Sequence, residues 1–509
     1  MYKLLLCWRY LRTRYIALVC IVSVMLGVAT MIVVNSVMAG FTNEMQARMN
    51  GMLGDIILES RSMDGVLDSA AHMAKIREVA GDAILGMSPT VHVPALMYIE
   101  LNGQLITHQA TLVGIDELTY AGVSQFGNYL QHPRNREQLE FQLHNGGYDV
   151  YDHQVPDRDL LKPRKQMQHA GWPYRRHKAM LKKQRDLQQN PPPLQGGPQA
   201  VVNPFAAQAA SNDEQQGRDF DPAIETHIGI VLGIGTCSYR DADGVDQFVA
   251  LPGDDIRVSF PKASLPPEAI SEFYTIVDLY ESKMSEYDSS FMFVPLRELQ
   301  KSRGMIDPET GIGKFTSIQI KLRPGANAEQ VRDALRNHFP AQFYMVSTWR
   351  DKQGPLLAAV QMETAVLNVL LFMIIAVAGF GILAIFTMIV VEKTRDIGIL
   401  KSLGASGQGV MGIFLGYGLA LGIVGAGVGM ALGLLFVKYI NQIADLLGRI
   451  TGQPVFDPSV YYFYKIPTIV DPQTVTWISA GAVAIAVLAS VMPARRAARL
   501  HPVRALRYE

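Results

Sequence analysis

The residue types that carry out most enzymatic chemistry are present in this sequence, but not in the spacings that catalysis requires. The only Gly-Lys pair, Gly313-Lys314, lacks the earlier glycine and the following Ser or Thr of a P-loop. No HExxH or GxSxG pattern occurs, and the eleven histidines are dispersed. The three cysteines, Cys7, Cys20 and Cys237, form no CxxC pair, which argues against a disulfide framework and a cysteine zinc site. We therefore expect a chain that is not an enzyme, with no catalytic residue, no metal site and no bound cofactor.

The composition points to a membrane rather than to nucleic acid. The 509 residues include 46 Lys and Arg against 46 Asp and Glu, so no global basic field would attract a polyanion. Charged residues make up 18%, below the ~25% usual for soluble domains. Hydrophobic residues make up 49%, and the mean hydropathy is positive at +0.12.

Four stretches contain no charged residue and exceed the roughly 20 residues that cross a bilayer. We predict transmembrane helices at 16–39, 364–391, 409–437 and 473–492. The first apolar stretch is longer than the roughly 7–15 residues of a signal-peptide core, so we expect an uncleaved anchor. Intramembrane Asp and Glu are missing from these stretches, which disfavours an ion-coupled carrier or channel within this chain.

Positive flanks predict the orientation of these helices. Lys and Arg cluster in the N-terminal segment 1–15, in the short loop 392–408 and in the tail 493–509. Four crossings place these three segments on one side, which we expect to be cytoplasmic. Segments 44–362 and 438–471 then face outward, and the expected location is the inner membrane.

The large outward segment has the pattern of an α+β domain. Asn102-Gly103 lies between two apolar runs and predicts a tight hairpin. Strands are expected at Glu272–Leu279, Phe291–Val294 and Phe315–Leu322, and Asn327 should cap a helix that ends near His338. We expect a small split αβ domain beside a second β-rich lobe. The predicted fold is therefore a four-helix membrane domain with a large α+β extracytoplasmic domain inserted between helices 1 and 2.

Residues 127–226 differ in amino-acid composition from the rest of this domain. The stretch 184–216 is rich in Gln and contains Pro191-Pro192-Pro193, whereas 163–185 is rich in Lys and Arg. A segment of this composition buries little apolar area, so we expect a flexible insertion. Its basic part is either a solvated loop or a surface for an anionic lipid or another partner.

The third apolar stretch is rich in glycine at helical spacing. Small residues four apart allow two helix backbones to approach closely. The residues expected to pack in this way, within the chain or across a dimer, are Gly412, Gly416, Gly418, Gly422, Gly425, Gly429 and Gly433.

The loop between the second and third stretches is short, charged and amphipathic. Ile397, Leu400 and Gly404 are expected on one helical face, which leaves polar residues for a partner. The loop resembles the cytoplasmic coupling helix of the FtsX/MacB superfamily of ABC permeases, and the tail 493–509 is similar to that superfamily's closing motif. The residues expected to couple to an ATPase are Glu392, Lys393, Arg395, Asp396, Ile397, Leu400, Lys401 and Gly404.

Further motifs resemble the lipoprotein-releasing (Lol-type) branch of these permeases. They are Val37-Met38-Ala39-Gly40-Phe41 followed by Glu44, Pro252–Ile256, Glu286–Ser290, and Thr348–Arg350 followed by Met362-Glu363. The similarity covers about 1–125 and 227–509, with Ala39 in place of the usual Asn. It implies an FtsX-like permease domain at 364–509 and a MacB-like periplasmic domain.

The resemblance also implies partners and a function. A separate cytoplasmic ABC ATPase would bind ATP and Mg, and a second permease subunit would complete a homo- or heterodimer. ATP hydrolysis would then release lipoproteins from the outer leaflet of the inner membrane to a periplasmic carrier. By this similarity a carrier would contact the segment 260–271, with Pro261, Pro266 and Pro267. Two alternatives remain open: a MacB-like export permease, and an FtsX-like signal transmitter that activates a cell-wall hydrolase.

Overall fold

The computed structural model describes residues 15–101, 104–154, 163–189, 220–241, 245–264, 266–451, 465–501 and 503. The chain forms two compact units. The helical unit comprises residues up to Gln46 and from Gly354 onward, and the α/β unit comprises Ala47–Gln353.

The regular elements are numbered in chain order. The helices are α1 (Tyr15–Met52), α2 (Ser69–Ala80), α3 (Pro133–Glu137), α4 (Trp172–Gln189), α5 (Ile234–Cys237), α6 (Ser285–Ser290), α7 (Leu296–Arg303), α8 (Ala328–His338), α9 (Trp349–Lys352), α10 (Gly354–Glu392), α11 (Thr394–Ser402), α12 (Gly407–Thr451) and α13 (Pro472–Arg499). The strands are β1 (Ile56–Ser60), β2 (Val66–Leu67), β3 (Ile84–Leu101), β4 (Gln104–Ile115), β5 (Ile228–Gly233), β6 (Ser238–Arg240), β7 (Asp246–Phe248), β8 (Asp255–Pro261), β9 (Ala269–Tyr280), β10 (Phe291–Pro295), β11 (Lys314–Phe315), β12 (Ser317–Leu322) and β13 (Tyr344–Thr348).

Four helices of the described chain, α1, α10, α12 and α13, are long and apolar enough to cross a membrane. They contain the four predicted stretches. Along the chain, the α/β unit comes between the first of these helices and the other three, as the sequence predicts. Each helix extends beyond its predicted span. The charge-free run predicts only the apolar part, whereas helix-forming residues such as Glu44 and Gln46 continue α1 to Met52.

One apolar core joins these four helices and α11. Val28 of α1, Phe386 of α10, Leu421 of α12 and Ala486 of α13 are each at most 1% exposed within it. Ile397 of the short helix α11 lies in the same core.

The α/β unit contains one nine-stranded mixed sheet, in the order β13-β1-β12-β3-β4-β10-β5-β9-β8. Strand β3 is 18 residues long and pairs with β12 through its first part and with β4 through its second part. It also pairs with β8 at Leu96–Tyr98. The two predicted lobes therefore share one sheet, because a single long strand runs through both of them.

Each part of the sheet has its own apolar core. Ile76 of α2 and Leu335 of α8 pack over β1, β12 and β13. The larger core lies around β3, β4, β5, β8, β9 and β10. The expected cap of α8 is present, since the Asn327 side chain accepts hydrogen bonds from the backbone N–H groups of Glu329 (3.0 Å) and Gln330 (3.2 Å). The hairpin turn predicted at Asn102-Gly103 lies outside the described residues.

The prediction of a flexible insertion at 127–226 is wrong where the described chain packs on the sheet, at 127–154, 163–178 and 220–226. Tyr148, Met167 and Ala170 belong to the larger core and are at most 4% exposed. Arg164 is buried, with its Nε 2.9 Å from Asp246 and its Nη2 2.9 Å from Glu281. A few buried apolar residues and paired charges hold this segment on the sheet. The average composition of the segment is polar and does not reveal these residues. Residues 155–162 and 190–219 lie outside the described chain.

Candidate coupling site and the helix packing behind it

The short helix α11 follows α10 after a single residue. Lys393 precedes its first turn, and the Lys393 Nζ lies 2.7 Å from the Asp396 carboxylate. The helix ends at Ser402, where the backbone N–H of Ala405 donates to the Leu400 carbonyl at 3.0 Å. Gly404 has a φ of +94°, the left-handed conformation that commonly terminates a helix. The loop is therefore a helix with a defined start and stop.

The inner face of α11 is fixed to the membrane helices. Ile397 is 3% exposed and packs in their core, and Leu400 is half-buried. The Lys401 Nζ donates to the carbonyl oxygens of Ala498 (2.9 Å) and Leu500 (2.6 Å). The last carbonyls of a helix have no partner within it and attract a cation, so Lys401 ties α11 to the end of α13.

The outer face of α11 carries charged and apolar groups together. Glu392 and Arg395 are exposed, and Asp396 is partly exposed beside Lys393. On the same side, Ile399 is 43% exposed and Leu403 is 81% exposed. Sequence reasoning identified the charges as partner-facing but missed both apolar residues, although Arg395, Ile399 and Leu403 follow one another at intervals of four and therefore share one face.

The expectation that Gly404 shares the buried face of Ile397 and Leu400 is wrong. Gly404 is exposed, because the helix ends at Ser402 and the chain then turns at Gly404 with a positive φ. A Cβ at Gly404 would meet no atom within 4 Å. Its requirement for glycine comes from backbone conformation and not from close packing.

Helix α12 uses its glycines on two different sides. A Cβ at Gly418 would lie 2.5 Å from the Ser490 Oγ of α13, and one at Gly422 would lie 3.1 Å from the Ala486 Cβ. Gly412 is exposed and Gly416 is half-buried. These contacts place the first part of α12 directly against α13.

The later glycines of α12 pack against α1. A Cβ at Gly425 would lie 2.9 Å from the Val24 Cβ, and one at Gly429 would lie 2.6 Å from the Met25 carbonyl oxygen. Gly433 approaches the backbone of Ala29, with a Cβ distance of 3.2 Å. Close packing by Gly425, Gly429 and Gly433 therefore occurs within this chain.

A cavity of about 490 Å³ lies in the helical unit, beside the second half of α1 and the first turns of α10 and α13. Its lining is amphiphilic, with amide side chains beside apolar ones: Asn35, Asn43, Asn368, Gln361, Met38 and Val360. The segment before α13 closes over this region, since the Ile469 N–H donates to the Ser36 carbonyl at 2.9 Å. Gly40 lets this segment approach, because a Cβ there would collide with the backbone of Pro467.

The proposed carrier-contact loop is a short connection between β8 and β9. Pro261 ends β8, and the backbone N–H of Lys262 donates to the Glu268 carbonyl at 2.8 Å. Pro266 and Pro267 are exposed. The two prolines are therefore presented at the tip of a closely tied hairpin.

Two of the motifs used for the resemblance have structural roles in the α/β unit. The Asp288 carboxylate accepts hydrogen bonds from the N–H (2.7 Å) and the hydroxyl (2.6 Å) of Ser282, and burial raises the pKa of Asp288 to about 7. In the Pro252–Ile256 turn, the Asp254 side chain receives Lys178, and Asp255 lies 2.7 Å from the Arg175 Nη1. Among the described residues, no group of three or more His, Cys, Asp or Glu side chains is placed to hold a metal ion.

Comparison with known proteins shows which family and relatives the chain resembles. A family described as FtsX-like permease C-terminal matches residues 368–502. The chain is 32% identical over 238 residues to the lipoprotein-releasing system transmembrane protein LolC of Xylella fastidiosa (strain Temecula1), covering 46% of this chain and 55% of that protein. It is 26% identical over 302 residues to LolC of Neisseria meningitidis serogroup B, covering 58% and 69%. It is 27% identical over 287 residues to LolE of Haemophilus influenzae, covering 56% and 65%.

The first of these alignments spans about half the length of the relative, 55%. The family match contains α11, α12 and α13, together with most of α10, and therefore includes the candidate coupling helix and the glycine contacts. The chain carries an FtsX-like permease domain and fits the FtsX/MacB superfamily of ABC transporter permeases, close to LolC and LolE.

Proposed function

We propose that this chain is the permease subunit of an ABC transporter that releases lipoproteins from the outer leaflet of the inner membrane to a periplasmic carrier. The observation that carries the proposal is α11, a helix with one face seated in the membrane core and the other exposed. Its position between two apolar helices, within the family match, supports an ATPase docking site. In this proposal the partner ATPase binds ATP and Mg, and this chain contributes no catalytic residue.

The contacts of α11 suggest how movement would pass into the membrane. An ATPase that grips Arg395, Ile399 and Leu403 would displace α11 as a unit, because Ile397 and Lys401 fix its other face. Lys401 would carry the displacement to α13. The close glycine contacts of α12 would then transmit it onward to α1, since closely packed helices resist independent motion. A second permease subunit, identical or different, would complete the transporter.

The orientation follows from the positive flanks and also belongs to the proposal. With α11 in the cytoplasm, the α/β unit and the segment before α13 face the periplasm. The amphiphilic cavity beside α1 and α10 then lies toward the outer leaflet. Amide groups beside apolar side chains suit a substrate with both a polar peptide and acyl chains. Withdrawing those chains costs ~0.8 kcal/mol per CH₂, which explains the need for ATP.

A reconstituted system tests both the coupling helix and the substrate. The chain would be placed in proteoliposomes with its ATPase subunit, and ATP-dependent transfer of a radiolabelled lipoprotein to soluble carrier would be measured. Leu403→Asp should abolish stimulated ATP hydrolysis and transfer, because it places an unpaired carboxylate in an apolar docking contact. Gln408→Asp adds the same charge at an exposed position after α11 and should leave both activities intact.

Two results would overturn parts of this proposal. Full ATPase stimulation by Leu403→Asp would remove α11 from the docking surface. If the wild-type complex hydrolyses ATP but releases no lipoprotein, the substrate assignment fails. A MacB-like exporter or an FtsX-like transmitter would then be the better description.

A further inference from the structure

Helix α4 is firmly anchored at its first turns. The Arg175 side chain is 3% exposed. Its Nη1 donates to the Gly253 carbonyl at 3.0 Å and to the Asp255 carboxylate at 2.7 Å, and its Nε donates to the Glu225 carbonyl at 3.0 Å. Tyr174 and Lys178 both reach the Asp254 carboxylate. The helix therefore starts from a fixed point on the α/β unit.

Beyond this anchor the same helix is exposed to solvent. Every residue from Met180 to Gln188 is exposed. Met180 is 65% exposed, Leu181 is 42% exposed and Leu187 is 50% exposed. A helical turn without tertiary contacts is marginal in water, so an exposed extension of this kind gains stability when a surface covers it.

The exposed part of α4 separates its charges from its apolar groups. At 3.6 residues per turn, Met180, Leu181 and Leu187 share one half of the helix with the neutral residues His177, Gln184 and Gln188. The opposite half carries the basic residues Arg176, Lys182, Lys183 and Arg185, with the single acid Asp186. No ion pair joins these four basic side chains to a carboxylate among the described residues.

We propose that the exposed half of α4 binds an anionic phospholipid surface. A helix with a basic face and an exposed apolar face lies in the headgroup region of a bilayer, where its charges meet lipid phosphates. The chain itself contains four candidate membrane helices, so a bilayer is present at high local concentration. An acidic protein would satisfy the charges, but it gives no reason for the apolar residues to be gathered on one side. The proposal is independent of lipoprotein release.

The test uses the full chain in nanodiscs with either zwitterionic lipid or added phosphatidylglycerol. An environment-sensitive fluorophore is attached at Leu187→Cys, in a chain with Cys7→Ser; Cys20 and Cys237 are buried. We expect a blue shift in the anionic discs that added salt reverses. Lys182→Gln, Lys183→Gln and Arg185→Gln together should remove the shift. The matched control removes three exposed basic residues elsewhere on the α/β unit, Arg77, Lys301 and Arg323, and should retain it.

Three outcomes would overturn the proposal. An equal shift in both kinds of disc would show that anionic lipid is not recognised. Loss of the shift in the control variant would reduce the effect to net charge. A shift produced by soluble polyglutamate in zwitterionic discs, as large as that with phosphatidylglycerol, would replace the lipid with an acidic protein partner.

Discussion

The contact between α12 and α1 makes a quantitative prediction at Gly429. A Cβ at this position would lie 2.6 Å from the Met25 carbonyl oxygen and 3.0 Å from the Val28 Cβ. The first neighbour is backbone, which cannot move aside by changing a rotamer. Gly429→Ala must therefore push α1 and α12 apart. The same helix offers a matched control, because a Cβ at Gly427 would meet no atom within 4 Å.

Gly427→Ala and Gly429→Ala make the same chemical change in the same helix and differ only in how closely the new Cβ would pack against a neighbour. Replacing Gly by Ala in a helix interior is worth up to ~1 kcal/mol in intrinsic propensity at either position. Overpacking a close contact costs ~1–3 kcal/mol. We therefore expect Gly427→Ala to be neutral or stabilising, and Gly429→Ala to be less stable than Gly427→Ala by ~1–3 kcal/mol.

The measurement is the free energy of unfolding of the full chain in mild detergent, titrated with a denaturing detergent and followed by helical circular dichroism. Transport in proteoliposomes provides a second readout, because under the proposed function separating α1 from α12 should also weaken transmission from α11. Equal stability of the two variants, or a less stable Gly427→Ala, would refute the close contact between these helices.

Three further substitutions test the coupling helix, the insertion and a buried carboxyl group. Gly404→Ala should cost ~1–2 kcal/mol of unfolding free energy, because φ is +94°; Gly381→Ala, at an open position without positive φ, should not. Arg175→Met should destabilise the α/β unit by ~1–3 kcal/mol, because the Gly253 and Glu225 carbonyls and the Asp255 carboxylate lose a charged donor, whereas Arg176→Met should change thermal unfolding little. Burial raises the pKa of Asp288 to about 7, so the native state holds this proton more tightly than the unfolded chain and loses stability as pH rises from about 4 to about 7. Asp288→Asn should remove that loss, up to ~1.4 kcal/mol per pH unit, in unfolding curves recorded across this range; parallel curves for the two proteins would contradict a raised pKa.

Local patterns in the sequence predict much of this fold. A charge-free run of more than about 20 residues is a property of the run itself, so four apolar helices could be predicted without knowing what they touch. The cap at Asn327 follows from the chemistry of a single residue and its immediate neighbours. Helix α11 was predictable for the same reason, because its charged and apolar residues lie within one short segment.

The tertiary structure decided everything that depends on distant residues meeting. The glycine spacing of α12 predicted close packing but not that Gly418 meets α13 while Gly429 meets α1. Leu403 became a docking candidate only when the structure left it 81% exposed at the edge of a buried core. The flexible insertion was predicted from average composition, yet Arg175 and Tyr148 hold it in place through partners 80 and 129 residues away in the chain. Such contacts depend on which surfaces the fold brings within a few ångströms of each other. The spacing of residues within a short segment does not predict them.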